Sequence, residues 1–258
     1  MTSEGQERVV TSTTGTVVIW AVPRSVSTAF EKALSRSQGV VAVHEPFTDC
    51  YYFGPTRRSS RYGDAEAFSG FHGAAAESRI HSARANWVVV KELCFQAGPY
   101  VSDELLDRVT NTFMIRHPAV VLRSLMPLKP DFTEEEFGYT AFHKLWERVQ
   151  RITGQIPHIV EGDSFRRAPD DTLKKYCEHT GLPFERSMLQ WRPGVLKPWD
   201  SHEAESQSKW HMTLESSSGI LPPGDPVTIE PPSERRLMYL RACEIYEEIV
   251  QSSRADSK

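Results

Sequence analysis

Residues 16–34 read TVVIWAVPRSVSTAFEKAL. Residues 16–22 are a continuous apolar run rich in β-branched side chains, which is typical of a central strand in a parallel sheet. A short polar turn follows at residues 23–28, and residues 29–37 then repeat apolar side chains at helical spacing. A strand, a tight turn and a helix in this order indicate the opening of a βαβ unit.

The rest of the chain alternates predicted strands and helices. Strands are expected at residues 40–43, 87–91, 112–115 and 156–160, and helices at 102–108, 119–125, 134–152, 170–180 and 233–250. The last helix is expected to turn Leu237, Leu240, Ile245 and Ile249 inward. Strands separated by helices favour an α/β fold of the P-loop-containing kind, with three α/β/α layers and a mostly parallel central sheet.

The pattern predicts a single domain over residues 1–258, with a core of about 16–250. Residues 48–85 show weak periodicity and are interpreted as an excursion from the sheet, which either covers a substrate site or is a surface insertion without a role. Residues 193–233 form segments rich in proline and serine, before the final predicted helix. One core and one excursion are therefore expected.

The overall charge and composition exclude some classes of protein. A formal net charge of −4 argues against a general nucleic-acid binder, although a local basic pocket remains possible. No run approaches the roughly 20 apolar residues that span a bilayer, and the polar start of the chain does not resemble a signal peptide. The four cysteines are scattered, as expected of thiols in a reducing compartment. We therefore expect a cytoplasmic protein without a membrane partner; the oligomeric state stays open.

The turn formed by Arg24, Ser25, Val26, Ser27 and Thr28 has the features of an anion site. A helix N-terminus presents unpaired backbone N–H groups and the positive end of the helix dipole, and an arginine adds a fork of donors. The alternative is a simple helix cap with a solvated arginine. A Walker A loop would read GxxxxGK[ST], and this turn lacks both the glycines and the lysine, so kinase or NTPase chemistry is disfavoured.

A second motif strengthens this interpretation. Residues 113–125 read FMIRHPAVVLRSL, so that Arg116 leaves a strand, Pro118 suits the first turn of a helix, and Ser124 lies eight residues after Arg116. Together with residues 20–34, this segment resembles the PAPS-dependent sulfotransferase superfamily, where PAPS is 3′-phosphoadenosine 5′-phosphosulfate. The family's phosphosulfate loop usually reads PKSGTTW or PRSGST after a strand.

The resemblance implies specific roles. Residues 24–28 would hold the 5′-phosphosulfate, partly through backbone amides, and Arg116 and Ser124 would bind the 3′-phosphate. A guanidinium fork and a hydroxyl suit a phosphate dianion. Val26 stands where the family usually has glycine, so the loop must accept a Cβ there.

Two further segments are similar to the same family. Residues 159–184 resemble its strand–Asp–helix–GLPF segment and are expected to be architectural. Lys209 and Trp210 fall where many members place a basic loop over the nucleotide, which implies contacts with phosphate and base; the alternative is a surface loop with a packed tryptophan.

The resemblance also implies the reaction, in which a hydroxyl or amine of a small acceptor attacks sulfur without a metal. Phenol and steroid sulfotransferases carry a histidine in a KTH motif, but here the aligned strand ends in KEL at residues 91–93. Glu45 is the first candidate for the general base, since several carbohydrate and bacterial sulfotransferases use a glutamate at a similar point; the other reading pairs it with a neighbouring arginine. Lys91 is expected to touch the transferred group. The other candidate bases are Glu92, His44 and His211.

The acceptor cannot be identified from the sequence. A small metabolite or natural product is expected, and several aromatic residues hint at a partly apolar molecule, although such residues are more often core: Tyr51, Tyr52, Phe53, Phe68, Phe71, Phe142 and Trp146. His143 either lines the acceptor pocket or is a half-buried structural histidine. The alternative functions are a P-loop nucleotide kinase or phosphotransferase, and a non-catalytic protein that binds adenosine bisphosphate.

Overall fold

A computed structural model describes residues 14–62, 67–194, 204–225 and 228–255. Within these residues, five strands form one parallel sheet: β1 Gly15–Ala21, β2 Val40–His44, β3 Trp87–Leu93, β4 Thr110–Ile115 and β5 His158–Glu161. Their order across the sheet is β2-β3-β1-β4-β5. The predicted parallel sheet is confirmed.

The described residues also form twelve α-helices. They are α1 Ser27–Leu34, α2 Thr48–Tyr52, α3 Gly73–Ser82, α4 Cys94–Ala97, α5 Asp103–Arg108, α6 Pro118–Leu125, α7 Glu134–Phe137, α8 Tyr139–Thr153, α9 Gly162–Arg167, α10 Pro169–Thr180, α11 Ala204–Glu215 and α12 Arg236–Ala255. Two short 3₁₀ helices lie at Arg186–Leu189 and Ser233–Arg235. None of the helices in these ranges has the length and apolar character needed to cross a membrane.

Strand β1 is buried on both faces, which gives the fold its three layers. Val18 and Trp20 pack in the core under α6, α8 and α12, whereas Val17 and Ile19 pack in the opposite core under α1 and α10. Side chains alternate across a strand, so a continuous apolar run supplies both cores at once. The predicted α/β/α layering is confirmed.

The sheet order determines where a ligand can bind. The strand β1 is the centre of the sheet, and β3 and β4 flank it. The chain therefore changes direction across the sheet at β1, and ligands of open α/β sheets bind at the carboxyl ends of the strands beside such a switch point. The turns after β1 and β4 meet at this place.

Two predicted helix ends are confirmed, and one predicted helix is interrupted. The Ser102 hydroxyl caps α5 by accepting from Leu105 N, and Gly181 ends α10 in a left-handed conformation. The helix expected at 134–152 is broken at Gly138, which has a φ of 87°. A Cβ there would lie 2.7 Å from Pro23 Cδ, so α7 and α8 meet where the chain packs directly on the turn after β1.

One prediction for the C-terminal helix was wrong in part. Leu237 and Leu240 are 84% and 47% exposed, whereas Ile245 and Ile249, farther along α12, are buried in the core. The Pro- and Ser-rich residues 193–233 contain the helix α11, whose polar sequence has little apolar periodicity; residues 195–203 and 226–227 of this segment lie outside the described ranges.

Candidate active site

Backbone strain marks the turns after β1 and β2. Among the described residues, the non-glycine residues with positive φ are Arg24 at 59°, Val26 at 75° and Glu45 at 42°. This region is unfavourable for residues with a Cβ, above all for a β-branched one. Such strain persists only where surrounding contacts enforce it, and it clusters at functional sites. Val26, which stands where the family usually has glycine, adopts the left-handed conformation that glycine accepts most readily.

The Arg24 side chain reaches across the end of the sheet. Its Nε donates to Ser124 Oγ at 2.9 Å, and its Nη1 donates to the carbonyl oxygen of Trp210 at 3.0 Å. The guanidinium carbon also lies 5.8 Å from the centre of the Trp210 ring. Arg24 therefore joins the turn after β1 to α6 and to α11.

Arg116 lies directly beside this turn. Its Nη1 donates to the carbonyl oxygen of Arg24 at 3.2 Å, and its Nε and Nη2 donate to Asp163 Oδ1 at 3.1 and 2.7 Å. The Tyr139 hydroxyl donates to the Arg116 carbonyl oxygen at 2.5 Å. The sequence interpretation requires Arg24 and Arg116 to share one pocket, and they do.

A first cavity of about 210 Å³ opens between these groups. Predicted cofactor residues line it, namely Arg24, Val26, Ser27, Thr28, Arg116, Ser124 and Trp210. Ser25 differs, because it is fully buried and its hydroxyl donates to the carbonyl oxygen of Val22 at 2.8 Å, within the turn. Lys209 belongs to α11 rather than to a loop, and its side chain lies outside the described part of the structure.

Arg166 contributes a third guanidinium to the first cavity and was missed by the sequence analysis. It lies on α9, and its Nε donates to the carbonyl oxygen of Leu221 at 2.8 Å. Burial and, second, Arg116 lower the pKa values of both Arg24 and Arg166, which shows how closely the cations are held together. Residues 159–184, expected to be architectural, thus also contribute to the first cavity. The sequence feature that could have indicated this is Arg166 itself, an arginine shortly after β5 at the same sheet edge as Arg116.

A second cavity of about 100 Å³ adjoins the first. Both cavities are lined by Arg24, Thr28, Trp210 and His211. The remainder of the second cavity includes polar and aromatic side chains, among them Glu45, Tyr52, Tyr62, Phe95, Lys129 and Glu136. These four shared residues form the boundary between the two cavities, across which a chemical group could be transferred from a ligand in one cavity to a ligand in the other.

Within the described part of the chain, Glu45 is one of the two carboxylates that line the second cavity, with Glu136. It forms an ion pair with Lys91, accepts from Thr48 Oγ1 at 3.2 Å, and its Oε1 lies 3.7 Å from His44 Nε2. Burial opposes ionisation, but Lys91 and, next, His44 outweigh it and lower the pKa of Glu45 to about 2. The carboxylate is therefore ionised, and its partner is a lysine rather than an arginine.

The other candidate bases occupy different positions. Glu92 is fully buried and accepts from the backbone N–H groups of Phe47 and Leu93, both at 2.7 Å. Burial, followed by the charge of Glu45, raises the pKa of Glu92 to about 8. His211 is 6% exposed and lines both cavities, and burial is the main reason that its pKa falls to about 3.

Part of the excursion at residues 48–85 reaches the second cavity. Tyr52 and Tyr62 lie on its wall, with ring centres 4.9 Å apart. Arg61, next to Tyr62 in the sequence, pairs through Nη2 with Glu136 Oε2 at 3.0 Å, and Glu136 also pairs with the buried Lys129. An ion-pair network therefore connects this segment to α7 and, through Lys129, to the chain before α7.

The other proposed acceptor residues lie elsewhere. Phe142 and Trp146 pack in the core, because this face of α8 turns toward the sheet, and Phe68 is 60% exposed. His143 Nε2 lies 3.1 Å from Glu248 Oε1, which ties α8 to α12 and matches the structural alternative for this histidine. Residues that the sequence did not single out line the cavity instead, notably Tyr62, Phe95 and Lys129. They come from segments without a recognisable motif.

The fold and the site define an α/β protein with a cationic cavity at its switch point and a buried carboxylate in the adjoining cavity. The sulfotransferase domain family matches residues 16–251. The chain belongs to this family.

Individual relatives are distant. The chain is 23% identical to branched-chain-amino-acid aminotransferase-like protein 1 of Arabidopsis thaliana, covering 79% of this chain and 36% of that protein. It is 27% identical to the corresponding protein 2, covering 46% of this chain and 20% of that protein. The chain thus spans about a third or less of these relatives.

A solved structure with a similar fold is the sulfotransferase domain from the Synechococcus PCC 7002 olefin synthase. The identity is 14% and the TM-score 0.45, with 91% of this chain and 95% of that chain covered.

Proposed function

We propose that this protein transfers the sulfuryl group of PAPS to a hydroxyl or amine of a small-molecule acceptor. Membership of the sulfotransferase domain family supports the class of reaction. The observation that carries the proposal is the position of Arg24, which lines both cavities and contacts Ser124 of the second motif. A transferred group must lie between its donor and its acceptor, and Arg24 lies between the two cavities.

The first cavity suits a nucleotide with phosphates at both ends. Arg24, Arg116 and Arg166 bring three positive charges, of which Asp163 offsets one. In this proposal the turn at residues 24–28 holds the 5′-phosphosulfate, partly through the first N–H groups of α1, which have no partner within the helix. Arg116 and Ser124 then hold the 3′-phosphate, with Arg166 as an added cation.

The aromatic and basic groups of α11 complete the donor site in this proposal. The ring of Trp210 lines the first cavity and can stack on an adenine. Lys209 stays a proposed phosphate ligand, on the resemblance alone. The donor would thus be held between the strand ends and α11.

Sulfuryl transfer needs positioning and stabilisation of charge on the departing oxygen. The acceptor, bound in the second cavity, attacks sulfur as the bond from sulfur to the bisphosphate breaks. Arg24, which lines both cavities, is the cation best placed to stabilise the charge that develops on the leaving oxygen. This part of the mechanism uses only groups at the boundary of the two cavities.

Glu45 is the proposed general base, because it is ionised and lines the second cavity. While Lys91 and Glu45 form an ion pair, the positive charge of the lysine keeps Glu45 a weak base. If Lys91 moves to the oxygens of the transferred group, Glu45 loses its counter-ion and becomes more basic as the reaction begins. Lys91 would then stabilise the transferred sulfuryl group and, by leaving Glu45, make the general base stronger.

The proposal is tested by single-turnover reactions with ³⁵S-labelled PAPS and a pool of small phenols, alcohols and amines. We expect the label to move to at least one pooled compound. A protein that binds adenosine 3′,5′-bisphosphate but transfers no label would be a binding protein instead. Transfer of the γ-phosphate of ATP to the pool, without transfer from PAPS, would indicate a kinase.

A further inference from the structure

Three buried side chains form a line behind the second cavity. Glu31 lies on α1, His44 ends β2, and Glu45 begins the turn that follows. Glu31 Oε2 lies 2.6 Å from His44 Nδ1, and His44 Nε2 lies 3.7 Å from Glu45 Oε1. The three side chains are 3%, 6% and 9% exposed, so water competes little for these contacts.

The two ends of this line reach different cavities. Glu45 lines the second cavity, whereas Glu31 and His44 line a third cavity of about 720 Å³, which also includes Lys32 and Trp191. His44 is therefore the group that stands between the proposed acceptor site and this separate cavity. A proton could pass between them through its ring.

The buried position of Glu31 calls for a physical explanation. Its neighbours Phe30 and Leu34 are fully buried on α1, and an ionised carboxylate among them is unfavourable unless it is paired. The contact with His44 Nδ1 supplies the partner. Because an ionised carboxylate only accepts hydrogen bonds, Nδ1 must carry a proton, and in the neutral ring Nε2 is then the basic nitrogen, facing Glu45.

We propose that Glu31 and His44 form a proton relay that removes the acceptor's proton from Glu45. The relay rests on the proposed sulfuryl transfer. The acceptor's O–H or N–H bond breaks as its bond to sulfur forms and the bond from sulfur to the bisphosphate breaks. The proton passes to Glu45 Oε1 and then to His44 Nε2. The imidazolium gives its Nδ1 proton to Glu31, which releases it to water in the third cavity, and the ring returns to the Nδ1–H tautomer by proton exchange with water before the next turnover.

Two observations support this path. A carboxyl group with the low pKa of Glu45 does not keep a proton at neutral pH, so the proton must move on after each turnover. The distance of 3.7 Å between His44 and Glu45 exceeds a hydrogen bond, and catalytic hydrogen bonds are often long before substrates bind and shorten in the complex. Glu31 and His44 are positioning residues here, since both act through Glu45.

The first test compares His44→Ala with wild type in single-turnover transfer of ³⁵S from PAPS to the acceptor pool. We expect the rate to fall about tenfold or more, while the affinity for adenosine 3′,5′-bisphosphate changes less than twofold. Added imidazole should restore much of the rate, because the third cavity gives it access to the vacated position. His143→Ala is the matched control, because it removes a histidine paired with a glutamate away from the cavities.

The second test observes the His44 ring by ¹⁵N NMR, which needs no acceptor. The signals that disappear in His44→Ala should show a protonated Nδ1, and Glu31→Gln should shift them. In the transfer assay, Glu31→Gln should lower the rate by a smaller factor than His44→Ala. An unprotonated Nδ1, a transfer rate of His44→Ala equal to that of wild type, or a folded His44→Ala variant that imidazole does not restore would overturn the relay. If wild type itself transfers no label, the proposed function fails and the relay fails with it.

Discussion

The two cavities that meet at Arg24 are built in different ways. On one side the first is lined by the turns and helices that follow β1, β4 and β5, and on the other by α11 and the residues after it. Three guanidinium groups give it a strong positive charge. The second takes its wall from chain segments at 52–62, 93–96 and 125–136, and its charges are paired with one another. A cavity side made from strand ends can keep binding the same kind of ligand, whereas a cavity made from connecting segments can come to bind a different one.

The largest expected effect separates chemistry from donor binding. We expect Glu45→Gln to lower the transfer rate about 1,000-fold, within the range for loss of a general base, because the amide cannot accept the proton. Since Glu45 lines only the second cavity, the affinity for adenosine 3′,5′-bisphosphate should change less than threefold. Rapid-quench transfer assays and calorimetry measure the two quantities.

The matched control for this change is Glu135→Gln, which removes the charge of a half-exposed glutamate paired with Arg58. Its transfer rate should equal that of wild type. A Glu45→Gln variant that transfers sulfuryl groups at more than a tenth of the wild-type rate would show that another group is the base, with His211 as the next candidate, because it lines both cavities.

The second effect is confined to the first cavity. We expect Arg116→Ala to weaken the binding of adenosine 3′,5′-bisphosphate at least about 100-fold, since it removes charge-assisted hydrogen bonds of about 1.5–3 kcal/mol each. It also leaves Asp163 Oδ1 without the two N–H groups that Arg116 donates to it, close to the proposed phosphate position. Titration calorimetry measures the affinity, and thermal unfolding checks that the variant is folded.

Arg241→Ala removes an arginine of a solvent-exposed ion pair and serves as the control. It should bind the bisphosphate as wild type does, since exposed pairs contribute little. A loss of bisphosphate affinity smaller than threefold in the folded Arg116→Ala variant would mean that the nucleotide does not reach Arg116. The donor and the acceptor would then not bind in separate cavities as described.

A smaller effect is expected on the acceptor side. Lys129 is 6% exposed and pairs with Glu136 on the wall of the second cavity. Replacing it by methionine keeps the length of the side chain but removes its donors, so we expect the KM for the acceptor to rise about tenfold, a loss of about 1.4 kcal/mol. The affinity for the bisphosphate should not change.

Steady-state kinetics with the acceptor found in the labelled pool measure this effect, and Lys174→Met, in an exposed pair with Asp170, is the control. An unchanged KM, or an equal loss in donor affinity, would contradict the assignment of separate ligands to the two cavities.

The smallest effect concerns the fold of the turn alone. Val26 has a φ of 75°, where a residue with a Cβ is strained by about 1–2 kcal/mol. We therefore expect Val26→Gly to be more stable than Val26→Ala by about 1 kcal/mol, the reverse of the order in a helix interior. Chemical denaturation of the two variants measures the difference, and a more stable alanine variant would contradict the strain.

The different construction of the two cavities explains which site residues the sequence predicts. Arg24, Arg116 and Ser124 were identifiable through the family resemblance, whose two motifs each follow a strand, and parallel strands bring their carboxyl ends to one edge. Arg166 lies on that edge as well, but its segment carries no phosphate motif, so only its position after β5 could have indicated a role.

The second cavity was beyond sequence reasoning because tertiary packing assembles it. Tyr62 and Lys129 are 67 positions apart along the chain and meet through the ion pairs of Arg61 and Glu136. The break at Gly138 has the same origin: the amphipathic pattern continues through it, while contact with Pro23 requires a glycine. Local periodicity does not record such contacts.

The central claim is that one nucleotide with phosphates at both ends occupies the first cavity. Its most direct test is calorimetric titration of the purified protein with adenosine 3′,5′-bisphosphate and, separately, with adenosine 5′-monophosphate. Contacts of Arg116, Ser124 and Arg166 with the 3′-phosphate should make the bisphosphate bind about 100-fold more tightly. Equal affinities, or no heat with either nucleotide, would contradict the account.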